Sequence, residues 1–431
     1  MSATADEGWV RLHPLTPLLR GGRFALLLVA LVGQQGLRGS GDPGTALLVL
    51  LGVGLTVGVL VGGLAWRAMR YRVTATELQV ESGVLTKRSR RVPLARVQAV
   101  DVVRPFYARV LGLAELRLEV VGGGNDAEAP LAFLSDDDAL ALRTRLLDLA
   151  SGREAGVTAA APAPERVLVA VPTGTLVASV LLGAPAVVGA ALLVVVGATS
   201  VVDLETGAGL LFGAVPLLFG VGSFAVRRLL SEYGFTVAES VDGLRLRHGL
   251  LDTRTQTIPA GRIQVVRVVE PLLWRRQGWV RVEVDVAGYS GGSEEQSATG
   301  ALLPVAPREL AERLVARVLG AELPPAVRRV PPRARWRAPL SARRRAVGLD
   351  DRHLVATSGV LTTTTDVVPL AKVQSLRVTQ GPYERRLGLS SLHVDTAGRR
   401  LPGAVARHRD DTDDLLVEAA RRAQSARASP G

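Results

Sequence analysis

Forty residues, Gly83 to Gly122, recur from Gly249 to Gly288 and again from Gly359 to Gly398, with no insertion or deletion between the copies. An ungapped repeat of this length means that one structural unit is built three times, so the fold has to be a string of like modules. Eight positions are identical in all three copies: Gly83/Gly249/Gly359, Leu85/Leu251/Leu361, Pro93/Pro259/Pro369, Gln98/Gln264/Gln374, Val102/Val268/Val378, Arg109/Arg275/Arg385, Gly112/Gly278/Gly388 and Gly122/Gly288/Gly398. Conservative positions follow the same frame. Val92, Ile258 and Val368 precede the proline, Arg96, Arg262 and Lys372 stand two before the glutamine, and Glu119, Asp285 and Asp395 stand three before the last glycine.

Within a copy the pattern is that of β structure. Val280, Val282, Val284 and Val286 alternate with Arg281, Glu283 and Asp285, and Leu116, Leu118 and Val120 alternate with Arg117 and Glu119. A period of two belongs to a strand with one packed and one wet face. The apolar run from Val97 to Val103 predicts a second strand, and the stretch from Pro105 to Gly112 a short helical turn carrying Arg109. A helix is expected after each copy. Ser135 with Asp136, Asp137 and Asp138 gives a cap and an acidic first turn before Leu142, Leu146 and Leu149; Pro307 and Glu309 open Leu310, Leu314 and Val318; Thr412, Asp413 and Asp414 precede Leu416. The simplest module is a small β sandwich or barrel of about seven strands closed by one C-terminal helix.

The order of motifs is Ser/His-Gly-x-Leu, Val/Ile-Pro, Arg/Lys-Val/Ile-Gln, Arg-x-x-Gly, and an alternating strand ending in Asp/Glu-x-x-Gly. It resembles the bacterial pleckstrin-homology (PH)-like membrane proteins, long catalogued as a domain of unknown function. Longer members interleave such domains with pairs of transmembrane helices, so the resemblance covers nearly the whole chain. It implies a fold but brings no agreed ligand, cofactor or catalytic motif. Eukaryotic PH domains often bind phosphoinositides through basic residues in the first hairpin loop; the turn here, Ala75-Thr76, lacks a basic pair, and that ligand is not carried over.

The chain has 431 residues, 48% of them hydrophobic, with a mean hydropathy of +0.25, which points to several modules and a membrane component. Cysteine is absent, which excludes disulfides and thiolate metal sites. The net charge of +12 is carried almost entirely by arginine in a chain rich in alanine, glycine and valine, so not every arginine signals function. Phe24 to Leu37, short and interrupted by Gln34 and Gln35, and Thr45 to Trp66, a clean span of the ~20 residues needed to cross a bilayer, read as a first membrane hairpin, with a cleaved signal peptide as the rival reading of the first segment; Gly174 to Val196 and Ala208 to Val226 read as a second. Arg11, Arg20, Arg23, Arg67, Arg70, Arg72, Arg166, Arg227 and Arg228 flank the pairs, whereas the connecting loops hold Arg38 with Asp42, and Asp203 with Glu205. Positive flanks stay inside, so all three modules are expected in the cytoplasm.

The expected fold class is therefore a multi-domain membrane protein: four transmembrane α-helices in two hairpins plus three PH-like β-sandwich or barrel modules, each closed by a C-terminal helix. The boundaries read 1–70 for the first hairpin, 71–152 for the first domain, 153–230 for a linker and the second hairpin, 231–321 for the second domain, 322–345 for a basic Pro/Arg-rich linker and 346–424 for the third domain. Gly54, Gly58 and Gly62, and again Gly209 and Gly213, place small residues on one helical face and suit close helix packing. Pro185 and Pro216 are expected to kink their helices. No span contains an ionisable residue of the kind a solute path uses, which favours anchoring over transport.

Residue patterns that carry chemistry are mostly missing from the sequence. His13, His248, His353, His393 and His408 are dispersed without metal-ligand spacing and read as surface residues. Gly122-Gly123-Gly124-Asn125 follows a strand and does not open a helix with a lysine, so it reads as a hairpin loop and not a phosphate loop. Glu119, Asp285 and Asp395 are expected to pair within their modules with Arg109, Arg275 or Arg385. The module motif, Pro93, Gln98, Arg109 and Gly112 with Pro259, Gln264, Arg275 and Gly278 and with Pro369, Gln374, Arg385 and Gly388, is read as structural or as partner-binding. The glutamine either satisfies backbone groups of its own module or reads an added strand. From Arg328 to Arg345 a run without acids, Arg328, Arg329, Arg333, Arg335, Arg337, Arg343, Arg344 and Arg345 with Trp336, reads as a segment for the membrane surface.

These features lead us to expect a non-enzymatic binding or scaffolding protein, multi-pass in the bacterial cytoplasmic membrane, without cofactor or metal. Its expected partners are the bilayer, anionic lipid headgroups and another membrane or envelope protein, including a related PH-like protein; nucleic acid is not among them. The alternatives are a membrane transport or envelope-stress resistance component, which an ionisable residue within a span would favour, and a membrane enzyme with an unrecognised site, which a deep polar pocket would favour.

Overall fold

The computed structural model describes residues 8–13, 66–83, 87–120, 128–150, 166–240, 243–286, 300–320, 325–397 and 400–428, with 52, 56, 60, 63 and 64 besides. The expected span Phe24 to Leu37, most of Thr45 to Trp66 with Gly54, Gly58 and Gly62, the Gly122–Asn125 loop and residues 153–165 of the expected linker lie outside the described residues. The chain divides into two units, Met1–Ala163 with Leu251–Gln256, and Pro164–Leu250 with Thr257–Gly431.

In the first unit, β1 (Val10–Arg11), β2 (Arg70–Val73), β3 (Glu77–Ser82) and β4 (Arg88–Pro93) form an antiparallel sheet in that order. β5 (Val97–Arg104), β6 (Leu113–Val120) and β7 (Glu128–Ser135) pair next, with the short helix Phe106–Val110 after β5 and the closing helix Asp136–Ala150 after β7. The alternation in β6 puts Leu116 and Leu118 in a core with Leu78, Leu113 and Leu146. Each such side chain contributes about 1.5–3 kcal/mol on burial. Ser135 Oγ accepts from the backbone N–H of Asp138 at 3.1 Å and caps the closing helix as its sequence predicts.

In the second unit, β8 (Arg166–Ala170), β9 (Thr236–Ser240) and β10 (Gly243–His248) are antiparallel. Between β8 and β9 run the helices Thr173–Leu181, Ala184–Val202 and Leu204–Glu232. Two segments, Ala184–Val202 and Gly209–Glu232, are long and apolar enough to cross a bilayer. The 19 residues of the first are about 28 Å long, close to the ~30 Å of a hydrocarbon core. The span expected from Gly174 is corrected: a helix ends at Leu181, Gly183 is extended, and Pro185 lies in the first turn of the next helix, where its missing N–H costs nothing. Pro185 therefore starts a helix instead of kinking one. One face of the helix before it packs on protein, with Leu176 and Val180 buried and Ser179 O accepting from Trp274 Nε1 at 3.1 Å, while Val177 and Leu181 are exposed. Close helix packing falls at Gly189, where an added Cβ would lie 3.3 Å from Val221; Gly209 and Gly213 face open space.

The same unit continues through β12 (Ile263–Pro271), β13 (Trp279–Val286), β14 (Ala301–Pro307) and the closing helix Arg308–Leu319. Then come β15 (Arg328–Arg329), β16 (Ala346–Leu349), β17 (His353–Ser358), β18 (Thr362–Pro369), β19 (Ser375–Thr379), β20 (Leu389–Asp395), β21 (Arg400–His408) and the closing helix Arg409–Ala428. One sheet has the order β14-β13-β12-β18-β17-β16-β15, and β19-β20-β21 form another. Val280, Val282, Val284 and Val286 are buried, as their alternation requires.

The domain boundaries also change. β1, β8 and β15 fall inside the segments read as hairpins or linker, yet pair with β2, β9 and β16. Each module therefore begins before its inserted segment. Residues 322–345 are not a plain linker: they hold β15 and the 3-10 helices Pro332–Trp336 and Ala342–Arg344, packed through Ala334 and Ala342 on Leu389.

Candidate functional site: a strand edge and its repeated arginine

In every module a strand follows the shared glycine and ends at the shared proline or the residue before it. These strands are β4, β11 (Thr253–Ile258) and β18. The proline suits a strand end because it has no N–H for the ladder, and a 3-10 turn follows it at Leu94–Arg96, Ala260–Arg262 and Leu370–Lys372. Two of the three strands also extend the sheet of the module before them. β18 pairs with β12 from Val266↔Val367 through Arg267↔Asp366 and Val268↔Thr365 to Pro271↔Thr362. In the first unit, Thr253, Arg254 and Thr255 pair with Arg104, Val103 and Val102 of β5. In the frame of the repeat, Arg104 corresponds to Glu270 and Thr253 to Thr363, so both additions share one register.

The repeated arginine holds the added strand. Arg109 Nη1 donates to Thr253 Oγ1 at 2.9 Å, and Arg275 Nη2 donates to Val360 O at 2.9 Å and to Thr363 Oγ1. Thr253 and Thr363 are equivalent, so the same arginine reaches the same threonine twice. The turn bearing it is fixed by the repeated glycine: Gly112, Gly278 and Gly388 have φ of 68, 64 and 66°. Their carbonyls accept from the first N–H of the closing helices, at Asp136, Arg308 and Arg409, over 3.0, 2.8 and 3.1 Å. In the second and third modules the expected pairing of this arginine with the repeated acid is corrected; the side chain of Glu119 lies outside the described residues. Arg275 approaches Glu270 at 3.6 Å, and Asp395 Oδ2 accepts from Ser375 Oγ at 2.7 Å.

A second contact selects the strand. Arg267 Nε and Nη2 donate to Asp366 Oδ1 and Oδ2 at 2.6 and 3.2 Å, a fork on a buried carboxylate. Both shared glutamines before covered edges sit where the register slips, between Val97 and Ala99 and between Ile263 and Val265, so Gln98 and Gln264 are β-bulge residues. Gln264 Nε2 donates to Arg262 O of its own module at 3.3 Å.

The third copy differs. Among the described residues β19 pairs with β20 alone. Gln374, Arg377 and Arg385 are exposed, and neither arginine has a side-chain partner among the described residues. Two histidines read as surface groups are buried: His248 Nδ1 lies 2.7 Å from Ser231 O with its ring stacked on Phe235, and His353 lies at the start of β17.

The basic segment is partly engaged. Arg328 pairs with Glu418 at 3.2 Å, Arg337 with the buried Glu384 at 2.8 Å, Arg344 lies 3.5 Å from Thr363, and Arg345 is half-buried. Arg329, Arg333, Arg335 and Arg343 are exposed. Trp336 and Leu340 are 76% and 77% exposed beside them, so the segment presents an apolar tip among cations. It lies between β15 and β16, the place where the second module carries its apolar helices between β8 and β9. No group of acids and histidines suited to a metal occurs among the described residues.

Helix-closed modules of seven strands repeated in series, one with an inserted apolar helix pair, define a membrane-associated PH-domain protein. The Bacterial PH domain family matches residues 24–150, 167–322 and 327–423, and the chain belongs to that family. It is similar to the UPF0699 transmembrane protein YdbT of Bacillus subtilis (strain 168), 21% identical over 265 residues and 56% of this chain. The match spans about half of that relative, 54% of its length.

Proposed function

We propose that the protein is a non-enzymatic scaffold of the bacterial cytoplasmic membrane, whose modules lie on the cytoplasmic side and present strand edges to other proteins. The observation that carries the membrane placement is topological: Arg333, Arg335, Trp336, Leu340 and Arg343 occupy in the third module the insertion point that holds the apolar helices in the second. A segment of cations around an exposed tryptophan suits an anionic leaflet, each cation adding ~1 kcal/mol near the surface. The binding role is supported by the strand additions, since main-chain ladders with one or two side-chain checks are a general mode of recognition. The relative's name places it in a membrane and assigns it no activity. Alkaline-phosphatase fusions after Gly152 and Gly320 test the orientation: both should be inactive, and activity at either one, which requires export, overturns the cytoplasmic placement.

A further inference from the structure

The spacing from the second copy to the third carries Val266, Arg267 and Val268 of β12 onto Leu376, Arg377 and Val378 of β19, and Arg275 onto Arg385. β12 is covered by β18, and Val266 and Val268 are buried; β19 has no such cover among the described residues, and Leu376 and Val378 are only half-buried. The third copy thus keeps the edge, the alternating apolar side chains and both arginines that receive a strand elsewhere in the chain. We propose that β19 is the docking site for an antiparallel strand of another bacterial PH-type module, one with an acidic residue opposite Arg377 and a hydroxyl within reach of Arg385, and that this chain's own β4 is not that strand.

The charge at one position separates the candidates. Opposite Arg267 stands Asp366, and the residue that Arg275 holds is Thr363. In the frame of the repeat, β4 has Arg90 where β18 has Asp366, and Lys87 where β18 has Thr363. A second copy docking through β4 in the shared register would set Arg90 against Arg377 and Lys87 against Arg385. Like charges directly across a ladder are destabilising, and such a contact would be head-to-tail and open-ended, the kind that runs into filaments. The arginines therefore both invite an acidic strand and reject a copy of this chain. The inference gives the binding role proposed above a partner class, and it does not use the membrane placement.

The test uses the full chain in detergent, followed by size exclusion with light scattering. Wild type should stay at one mass across concentrations. Lys87→Thr/Arg90→Asp supplies the missing complement and should associate as concentration rises, and adding Arg377→Asp should reverse this. Because the chain lacks cysteine, Arg88→Cys and Thr379→Cys, equivalent to the pair Thr364 and Val269, should cross-link between copies only in the complemented variant. A labelled peptide with the sequence Gly359–Pro369 gives a measurement independent of variant folding: it should bind wild type at least tenfold more tightly than the same peptide with Asp366→Arg. Association that survives Arg377→Asp, no gain of association by the complemented variant, equal binding of the two peptides, or cross-linking without complementation overturns the proposal. An active phosphatase fusion, by contrast, overturns the membrane placement and leaves this edge standing.

Discussion

Glu232, the last residue of the long apolar helix, accepts from Arg281 Nη1 of β13 at 2.6 Å and from Arg228 Nε at 3.0 Å while only 3% exposed. The pair ties the end of a membrane-length helix to the central strand of the second module. Arg228 also lies over the ring of the buried Trp274, 5.6 Å from its centroid. Removing the carboxylate leaves Arg281 in a buried position with, among the described residues, the half-exposed Glu283 as its remaining acidic partner.

Glu232→Ala is therefore expected to destabilise the protein by about 3–5 kcal/mol, the range for breaking a buried ion pair from one side. The control is Glu312→Ala, whose pairing with Arg308 at 3.6 Å is exposed on both sides and contributes roughly 0–1 kcal/mol. Thermal melting in detergent by circular dichroism compares the two. Similar midpoints would show that the junction is not stabilised through Glu232.

The repeated glycines predict a second difference. At Gly278, φ is 64° and a Cβ would meet open space, so the cost of a side chain there is conformational, about 1–2 kcal/mol, and more for a β-branched residue. At Gly359, φ is 106° and a Cβ would fall 1.9 Å from Thr362 O, so the backbone itself must move. Gly278→Val should lower the melting temperature well beyond Arg247→Gln, and Gly359→Val should lower it further. An equal effect of all three substitutions would remove the conformational argument.

Much of this was legible because the features are local. The valines of β13 announce their face, and Ser135 and three aspartates announce a helix start. Strand addition is not local. The part of β18 that reaches β12 begins Thr362-Thr363-Thr364-Thr365, without alternation, and its reason to be there is a carboxylate whose guanidinium partner lies far back in the chain, at Arg267. β15 was hidden for another reason: two residues separated from β16 by a basic stretch carry no periodicity. The helix Thr173–Leu181 reads as part of a membrane span because composition alone cannot tell a helix face packed on protein, as at Leu176 and Val180, from one facing lipid.

His353 predicts a pH dependence. Burial lowers its pKa below the ordinary 6.5, with Asp350 pulling the other way. The unfolded chain then takes up a proton as pH falls through the ordinary value, whereas the folded chain does so only at lower pH. Stability is complete above about 6.5 and declines as pH falls below it. His393, also lowered by burial and by Arg377, adds a contribution of the same sign. The melting temperature in detergent should fall between pH 7.5 and 5.5, and His353→Gln should flatten that slope. An unchanged slope would assign the acid sensitivity elsewhere.

The exposed tip of the third module carries cations left over for a bilayer surface. Of the eight arginines between Arg328 and Arg345, Arg328 and Arg337 are paired with acids, Arg344 is near Thr363 and Arg345 is half-buried. That leaves Arg329, Arg333, Arg335 and Arg343 for a membrane surface. At ~1 kcal/mol each, these four could contribute on the order of 4 kcal/mol beside an anionic leaflet, enough to hold a tethered module against it. Leu340→Cys in this cysteine-free chain gives one labelling site for an environment-sensitive dye. With the protein in nanodiscs, its emission should shift to the blue in anionic lipid relative to zwitterionic lipid, and salt should reverse the shift. Arg333→Gln/Arg335→Gln/Arg343→Gln should abolish the dependence on lipid charge while the melting temperature stays near that of the labelled parent, since none of the three has a partner among the described residues. Emission indifferent to lipid charge in the parent would mean that the third module does not rest on the bilayer through this segment.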